Sequence, residues 1–440
     1  MDGNSGSESA TRAGTQILPE KTLDILVIGA NLCNRGAESM LLTLISEIQL
    51  EIPDAKFSVW SYAHDDRKRA GTVVHSEPNG INATFKLSCN HKNLGLLFLQ
   101  GLLCVAPFPV TSKIARNFSA FIRSVDQADA VVDISGFALA GDRPWWRHVI
   151  YLLEARTAHA CGTPFLAMTQ SFGPFRTFWN KTIARWALAN ARFISARGPM
   201  SARHLEAIGL SEGRDFIVAP DITYQFAAAP AGSAREILLE SARPRIAVIP
   251  NTNVYYQSAA QSTGHGDGNA YVVTLARICH QAIVQHGCTL VFILHECYPS
   301  RFDDSSLVEI IRRDPTIKAH SIVLENSLSA SMIKSVVLQC DAVITSRYHG
   351  MLAAFSGGIP AFVPGWADKY TESAEIAGTP EFTFKFAQSD PDSIVNHFTQ
   401  FWETREHIRH TLLTRLPQNL ADSKQSIGIM IEHLRRHSEQ

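Results

Sequence analysis

Short apolar runs alternate along this chain with segments whose apolar positions recur every three or four residues, the rhythm of repeated βαβ units. Residues 24–29 (DILVIG) predict a buried strand that runs into a polar loop. Residues 37–48 predict a helix with Met40, Leu41, Leu44, Ile45 and Ile48 on one face. Further strands are expected at 57–60, 128–134, 164–168, 193–195 and 216–218, with helices at 146–160, 178–189 and 201–208 between the later ones. After residue 243 the pattern restarts. Strands at 245–249, 289–294, 321–324, 341–345 and 359–363 alternate with helices at 270–286, 304–313, 330–338 and 351–356, and 391–436 is mostly helical.

This periodicity divides the chain. Residues 1–21 are small and polar and read as a disordered tail. Residues 22–228 form an N-terminal Rossmann-like domain, expected on the acceptor side. The Ala-, Pro-, Gly- and Ser-rich residues 229–243 form a linker, 244–415 a C-terminal Rossmann-like domain on the donor side, and 416–440 a C-terminal helix. The fold class is therefore α/β, two tandem doubly wound domains facing a cleft, with C-terminal helices. In open parallel sheets ligands sit beyond the carboxyl ends of the strands, so the chemistry belongs at the polar strand ends.

Composition narrows the partners. With 440 residues, a formal net charge of -1 and 18% charged residues, no basic field invites nucleic acid. The 8 cysteines form no CxxC pair, which argues for a reduced, cytoplasmic protein without a zinc or disulfide framework. No secretory leader is evident at the start. Residues 94–110 are apolar but short and broken by proline; they read as buried helix and loop, or as a patch touching the inner face of a membrane.

Three strand-end segments carry candidate chemistry. The first, 29–38 (GANLCNRGAE), sits between strand and helix; Gly36 permits a tight turn and Asn34 a helix cap. The second, 195–201 (SARGPMS), places Arg197 at a strand end with Pro199 opening a helix. The third, 346–350 (SRYHG), offers the Arg347 fork for carboxylate or phosphate and His349 near a helix start, where it can trade protons. Across a cleft, Arg197 and Arg347 would clamp one small dianion. Smaller signals are Ser171 in QSFGP, Asp221 after Pro220, His295 at a strand end, and Lys369 in WADKY, within reach of a phosphate. There is no GxSxG, no HExxH and no metal-ligand spacing.

Taken in order, NLCNRGAESMLL, QSFGP, SARGPMSARHLEAIGL, PDITYQF and ITSRYHGMLAAFSGGIPAFVPGWADKY resemble the polysaccharide pyruvyl transferase family over roughly residues 24–380. The resemblance implies a GT-B-like pair of Rossmann-like domains, phosphoenolpyruvate as donor, a glycan as acceptor, and a cyclic pyruvyl ketal as product. It implies no cofactor and no metal. It places Arg197, Arg347, Tyr348 and Lys369 on the donor and makes His349 the general acid or base. Asn34, Gly36, Glu38, Ser171, Asp221 and His295 fall to the acceptor side or to structure. Two departures stand out: Ala37 occupies the place of an acidic residue, and Tyr348 the place of an apolar one. The insert around 90–115 is not a family feature. A nucleotide-sugar glycosyltransferase on the same fold and a non-catalytic glycan-binding descendant are the competing expectations.

Overall fold

The computed structural model describes residues 22–61, 83–87, 120–259, 268–296 and 302–438, apart from 31, 33, 142, 240 and 325–327. The expected tail, 1–21, and the apolar segment 94–110 lie outside the described residues.

Two parallel sheets organise the chain. In the first, β1 (Asp24–Ile28), β2 (Lys56–Ser61), β3 (Ala83–Leu87), β4 (Ala130–Asp133), β5 (Phe165–Gln170), β6 (Phe193–Ala196) and β7 (Ile217–Val218) stand in the order β3-β2-β1-β4-β5-β6-β7. The second contains β8 (Arg245–Ile249), β9 (Thr289–Phe292), β10 (Ser321–Val323), β11 (Ala342–Thr345), β12 (Ala361–Gly365) and β13 (Thr383–Lys385), ordered β10-β9-β8-β11-β12-β13. Every strand pairing is parallel, so helices must cover both faces and the strands can be apolar throughout. β4 and β11, for instance, are buried at all positions. Each sheet reverses its strand order once, between β1 and β4 and between β8 and β11, and the turn after β1 meets the second domain, where Asn34 bridges Glu296 beyond β9 and Gly36 abuts His349 beyond β11.

Two sequence expectations are corrected. Residues 229–243 are not a plain linker, because a helix, Ala231–Ile237, occupies much of them and buries Ala234 and Leu238. Alanine marks helix as readily as loop, so composition could not separate the two. The boundary at 415/416 also disappears: one helix, Pro391–Ser438, runs through Pro417 and belongs to both domains. Its first half packs on the second domain through Ile394, Phe398 and Phe401. Its second half carries Ile427, Met430, Ile431 and Leu434 at 3-4-7 spacing into the first domain's core beside Leu41, Leu44, Ile45 and Ile48. Lys424 pairs with Glu47, and Arg435 Nη2 donates to the Glu51 carbonyl at 2.8 Å.

This docking is testable. Leu434 is 1% exposed and Leu413 49% exposed on the same helix. Leu434→Ala should lower the unfolding free energy by about 2–4 kcal/mol, and Leu413→Ala by no more than about 0.5 kcal/mol, as read from urea titrations. Equal losses would mean that the end of the helix is not anchored in the first domain.

Candidate functional site

The site is built where the carboxyl edges of the two sheets meet. Asn34 caps the helix Arg35–Glu51, its Oδ1 accepting from the Gly36 amide at 2.9 Å and the Ala37 amide at 3.3 Å. The same turn touches the second domain. Asn34 bridges Glu296, the Arg35 amide donates to the His295 carbonyl at 3.2 Å, and Glu38 Oε1 accepts from the Ala330 amide at 3.5 Å. Glu38 also pairs with Arg35 at 2.7 Å. Gly36 is required for packing, since a methyl group there would overlap the His349 ring. Of the two expected roles for Asn34, Gly36 and Glu38, the geometry supplies the structural one.

Arg197 leaves the end of β6 and is 1% exposed. Its Nη2 contacts Asp221 Oδ2 at 2.8 Å and donates to the Thr169 carbonyl at 3.0 Å, and its Nη1 donates to Ser171 Oγ at 3.4 Å. Its Nε has no partner. The guanidinium lies 4.6 Å from the Tyr348 ring centroid, so the first domain's arginine rests on the second domain's SRYHG segment. Thr169, which supplies the carbonyl, has φ of 44°, a conformation disfavoured for a β-branched residue. Sequence reading gave no sign of that strain.

Arg347 corrects the proposed clamp. Its Nη1 meets Glu296 Oε2 at 2.6 Å, its Nη2 meets Asp304, and its Nε donates to the Pro250 carbonyl at 3.2 Å. A fork filled by two carboxylates and a carbonyl has no face to offer a donor in this arrangement. Tyr348 is likewise engaged: it is buried, with its hydroxyl 2.7 Å from Ser373 Oγ. Arg347 came into the donor set as a rigid fork at a strand end, and both residues through the family resemblance of their segment. Neither Asp304 nor Ser373 stands near the motif in sequence, so nothing local announced their partners.

Lys369 is the cation that remains. Among the described residues no carboxylate lies within salt-bridge reach of it. Its Nζ instead sits 4.4 Å from the Phe137 ring centroid and 5.1 Å from those of Tyr348 and Trp366. Burial, reinforced by Arg197 and Arg143, holds its ammonium well below the usual lysine range. Burial also pushes His349 down to about 3; Asp221 opposes this, while Arg197 and Lys369 add to it. Its Nε2 is buried without a partner. Burial alone would raise Asp221, but Arg197 overrides it and keeps the carboxyl below its ordinary range. His295 is buried beside Arg347, both effects hold it neutral, and its Nδ1 is unpartnered.

Two further acids complete the boundary, and sequence reading missed both. Glu372 reaches from the second domain onto the first residues of the helix Pro199–Glu206, accepting from the Ser201 amide at 2.7 Å and from Ser201 Oγ at 3.1 Å. The start of this helix thus already holds an anion, the Glu372 carboxylate. Asp133, at the end of β4, is raised to about 6 by burial, against hydrogen bonds from Ser135, Gln170 and Tyr151.

Two cavities of about 20 Å³ flank the Arg197–Tyr348–His349 wall. One is lined by Arg35, Thr223, His295, Lys334 and His349, the other by Phe137, Ser171, His204, Lys369 and Glu372. Each has room for about one water, so the domains are closed on one another. A larger groove of about 610 Å³ lies between the helices Ala270–His286 and Asp304–Ile311, but none of these residues lines it.

Comparison with known proteins adds two findings. The family model described as polysaccharide pyruvyl transferase matches residues 34–367. Among solved structures, Anabaena HepE in complex with UDP and glucose aligns at 12% identity and TM-score 0.53, covering 94% of this chain and 100% of its own. Staphylococcus aureus MnaA with UDP aligns at 10% identity and TM-score 0.59, covering 95% and 97%. Sucrose-phosphate synthase from Thermosynechococcus elongatus aligns at 11% identity and TM-score 0.55, covering 94% and 98%. At such identities the likeness is one of fold: two parallel-sheet domains in the GT-B-like arrangement. A search of curated proteins gives no significant match.

The structural role of Arg347 can be measured directly. Arg347→Ala leaves Glu296 and Asp304 unpaired, Asp304 deeply buried, and should lower stability by about 3–5 kcal/mol in urea unfolding. A loss below about 1 kcal/mol would return Arg347 to the pool of ligand-binding groups.

Proposed function

The chain belongs to the polysaccharide pyruvyl transferase family, and we propose that it moves the pyruvyl group of phosphoenolpyruvate onto a sugar of a surface polysaccharide or its precursor, as a cyclic ketal. One observation carries this reading: the shortage of negative charge around Arg197, Lys369 and His349. Asp221 is the carboxylate that acts on all three. A donor bearing a phosphate and a carboxylate supplies what the cluster lacks. A nucleotide-sugar reading rests on fold alone, which is a weak warrant for chemistry.

In this reading Lys369 and Arg197 meet the donor's anionic ends and His349 moves the proton. Each cavity holds about one water, so donor entry requires the domains to part. The donor's charge then opposes burial, raising the pKa of the imidazole from its low value near 3. The resulting imidazolium protonates the methylene carbon C3 of phosphoenolpyruvate. The C2=C3 electron pair forms the new C3–H bond and leaves a cation at C2. A sugar hydroxyl adds to C2 and returns a proton to the imidazole. Phosphate departs with the electrons of the C2–O bond, and a second hydroxyl adds to C2, its proton leaving with the phosphate. The products are the ketal and inorganic phosphate. Positioning of the anions and one correctly placed proton donor supply the rate.

Phosphate release from phosphoenolpyruvate in the presence of candidate glycans tests the reaction. Lys369→Met and His349→Asn should each slow it by about a hundredfold or more. Undiminished release in both variants would remove these residues from the site, and tight UDP binding without phosphoenolpyruvate binding would overturn the donor.

Donor binding should also take up protons. His349, near 3 before the anion arrives, regains charge beside it, and the lowered Lys369 shifts in the same direction, so the sign is uptake at pH 7. Calorimetry in buffers of different ionisation enthalpy reads the number, which should fall in His349→Gln. Proton release, or heats independent of buffer, would falsify the assignment.

A further inference from the structure

Away from the cleft, the first domain turns an unusual face to solvent. The helices Trp145–Cys161 and Phe178–Leu188 follow the neighbouring parallel strands β4 and β5, so they run side by side with their starts at the carboxyl edge. Their approach segments are held together: Ala140 bridges Gly173, and the Gly141 amide donates to the Gly173 carbonyl at 2.8 Å. Four large aromatics stand exposed on these two helices, three of them at this edge and Trp186 near the far end of the second. Trp145 is 66% exposed, Phe178 74%, Trp179 70% and Trp186 58%. On the second helix Trp179 and Trp186 are seven residues apart and share one face, while Ala184 and Ala187 point inward. Lys181 and Arg185, four apart, are exposed on one side of the aromatic stripe, and Arg185 Nη1 donates to the Ile208 carbonyl at 3.3 Å. The usual polarity of a surface helix is thus inverted, with the bulky rings outside and the small residues inside.

The same stretch of chain is basic, although Arg143 faces Phe137 and Lys369 instead of this surface. Residues 142–190 contain Arg143, Arg147, Arg156, Arg176, Lys181 and Arg185 against Asp142 and Glu154, in a chain whose formal net charge is -1. Glu154 is buried and contributes little to the surface. Arg147 stacks over the Trp146 ring at 4.6 Å, so cation and aromatic are interleaved at the rim.

We propose that this face docks on an anionic lipid surface, with Trp145, Phe178 and Trp179 entering the headgroup level and Arg147, Lys181 and Arg185 meeting lipid phosphates. Tryptophan and phenylalanine with a basic margin are the side chains that an interfacial helix uses. A second copy of the chain fits the face poorly. A two-fold interface brings the same patch together with itself and would oppose like charges. No helix among the described residues is long and apolar enough to cross a membrane, so the contact is a peripheral one. The segment from Gly173 to Arg176 links this face to the cavity that holds Lys369, so docking sets the mouth of that cavity close to the lipid.

Flotation with phosphatidylcholine vesicles, with and without phosphatidylglycerol, tests the proposal independently of donor chemistry. The full chain should float with the anionic vesicles and remain behind with the zwitterionic ones, and its tryptophan emission should shift to the blue on binding. Lys181→Gln with Arg185→Gln should weaken partitioning by roughly an order of magnitude. Trp145→Ser with Phe178→Ser and Trp179→Ser should abolish the blue shift and weaken binding at least tenfold. Unchanged thermal midpoints in both variants identify the losses as surface effects, because the replaced residues are exposed; Lys181→Gln alone is the control for the hydrogen bond that Arg185 Nη1 donates to the Ile208 carbonyl. Three outcomes would overturn the proposal: no flotation of the parent chain at low salt, equal flotation of parent and variants, or a parent dimer that the aromatic triple variant converts to monomer.

Discussion

A guanidinium removed from water costs several kcal/mol unless carboxylates and carbonyls surround it, and this molecule removes two at one boundary. Arg197 and Arg347 are 1% and 4% exposed. Asp221, at the end of the first domain, meets the former; Glu296 and Asp304, from the second, meet the latter. Each of those acids is placed by a strand end or a helix start, so the arginines fix where the loops of both sheets can go. The surrounding glycine, asparagine and serine positions follow from that packing. Gly36 leaves space for His349, and Asn251 and Tyr370 both donate to the Ser346 carbonyl at 2.8 Å.

Arg347 is saturated while Arg197 keeps an unpartnered Nε, and this changes what the remaining basic groups can do. Lys369 and His349 stand among cations and aromatic rings, with Asp221 opposing the effect only in part, and both are driven toward neutrality. The site therefore separates two tasks that its sequence motifs merge. Arg347 ties loops of the second domain together, Arg197 rests across the boundary on Tyr348, and Lys369 and His349 form the chemically responsive part. This explains how a boundary so thoroughly hydrogen-bonded still carries a demand for an anion.

Much of the architecture was legible because it is periodic. Strand 245–249 and helix 270–286 stand where the pattern put them, and the SRYHG segment does bridge strand and helix. What stayed hidden was pairing across long separations. Ser201 and Glu372 are 171 residues apart, and Arg347 and Asp304 are 43 apart, so no spacing rule links them. Arg347 therefore read as a free fork at a strand end, when its neighbours in space had already filled it. The strained backbone at Thr169 was equally invisible, since threonine gives no hint of positive φ. The long C-terminal helix was half seen: its apolar spacing was plain, but the domain it would serve was not.

That helix has a mechanical consequence. The chain crosses between the domains twice, once after the short helical turn Ile222–Gln225 and once along Pro391–Ser438, and the two crossings touch: Gln225 Nε2 donates to the Leu420 carbonyl at 2.7 Å, and Ser423 Oγ to the Asp221 carbonyl at 3.1 Å. Two covalent ties lying together along one edge behave like the spine of a book. Separation by translation would tear both, whereas rotation about the spine disturbs them least. Asp221, whose carbonyl accepts from Ser423, lies on that axis.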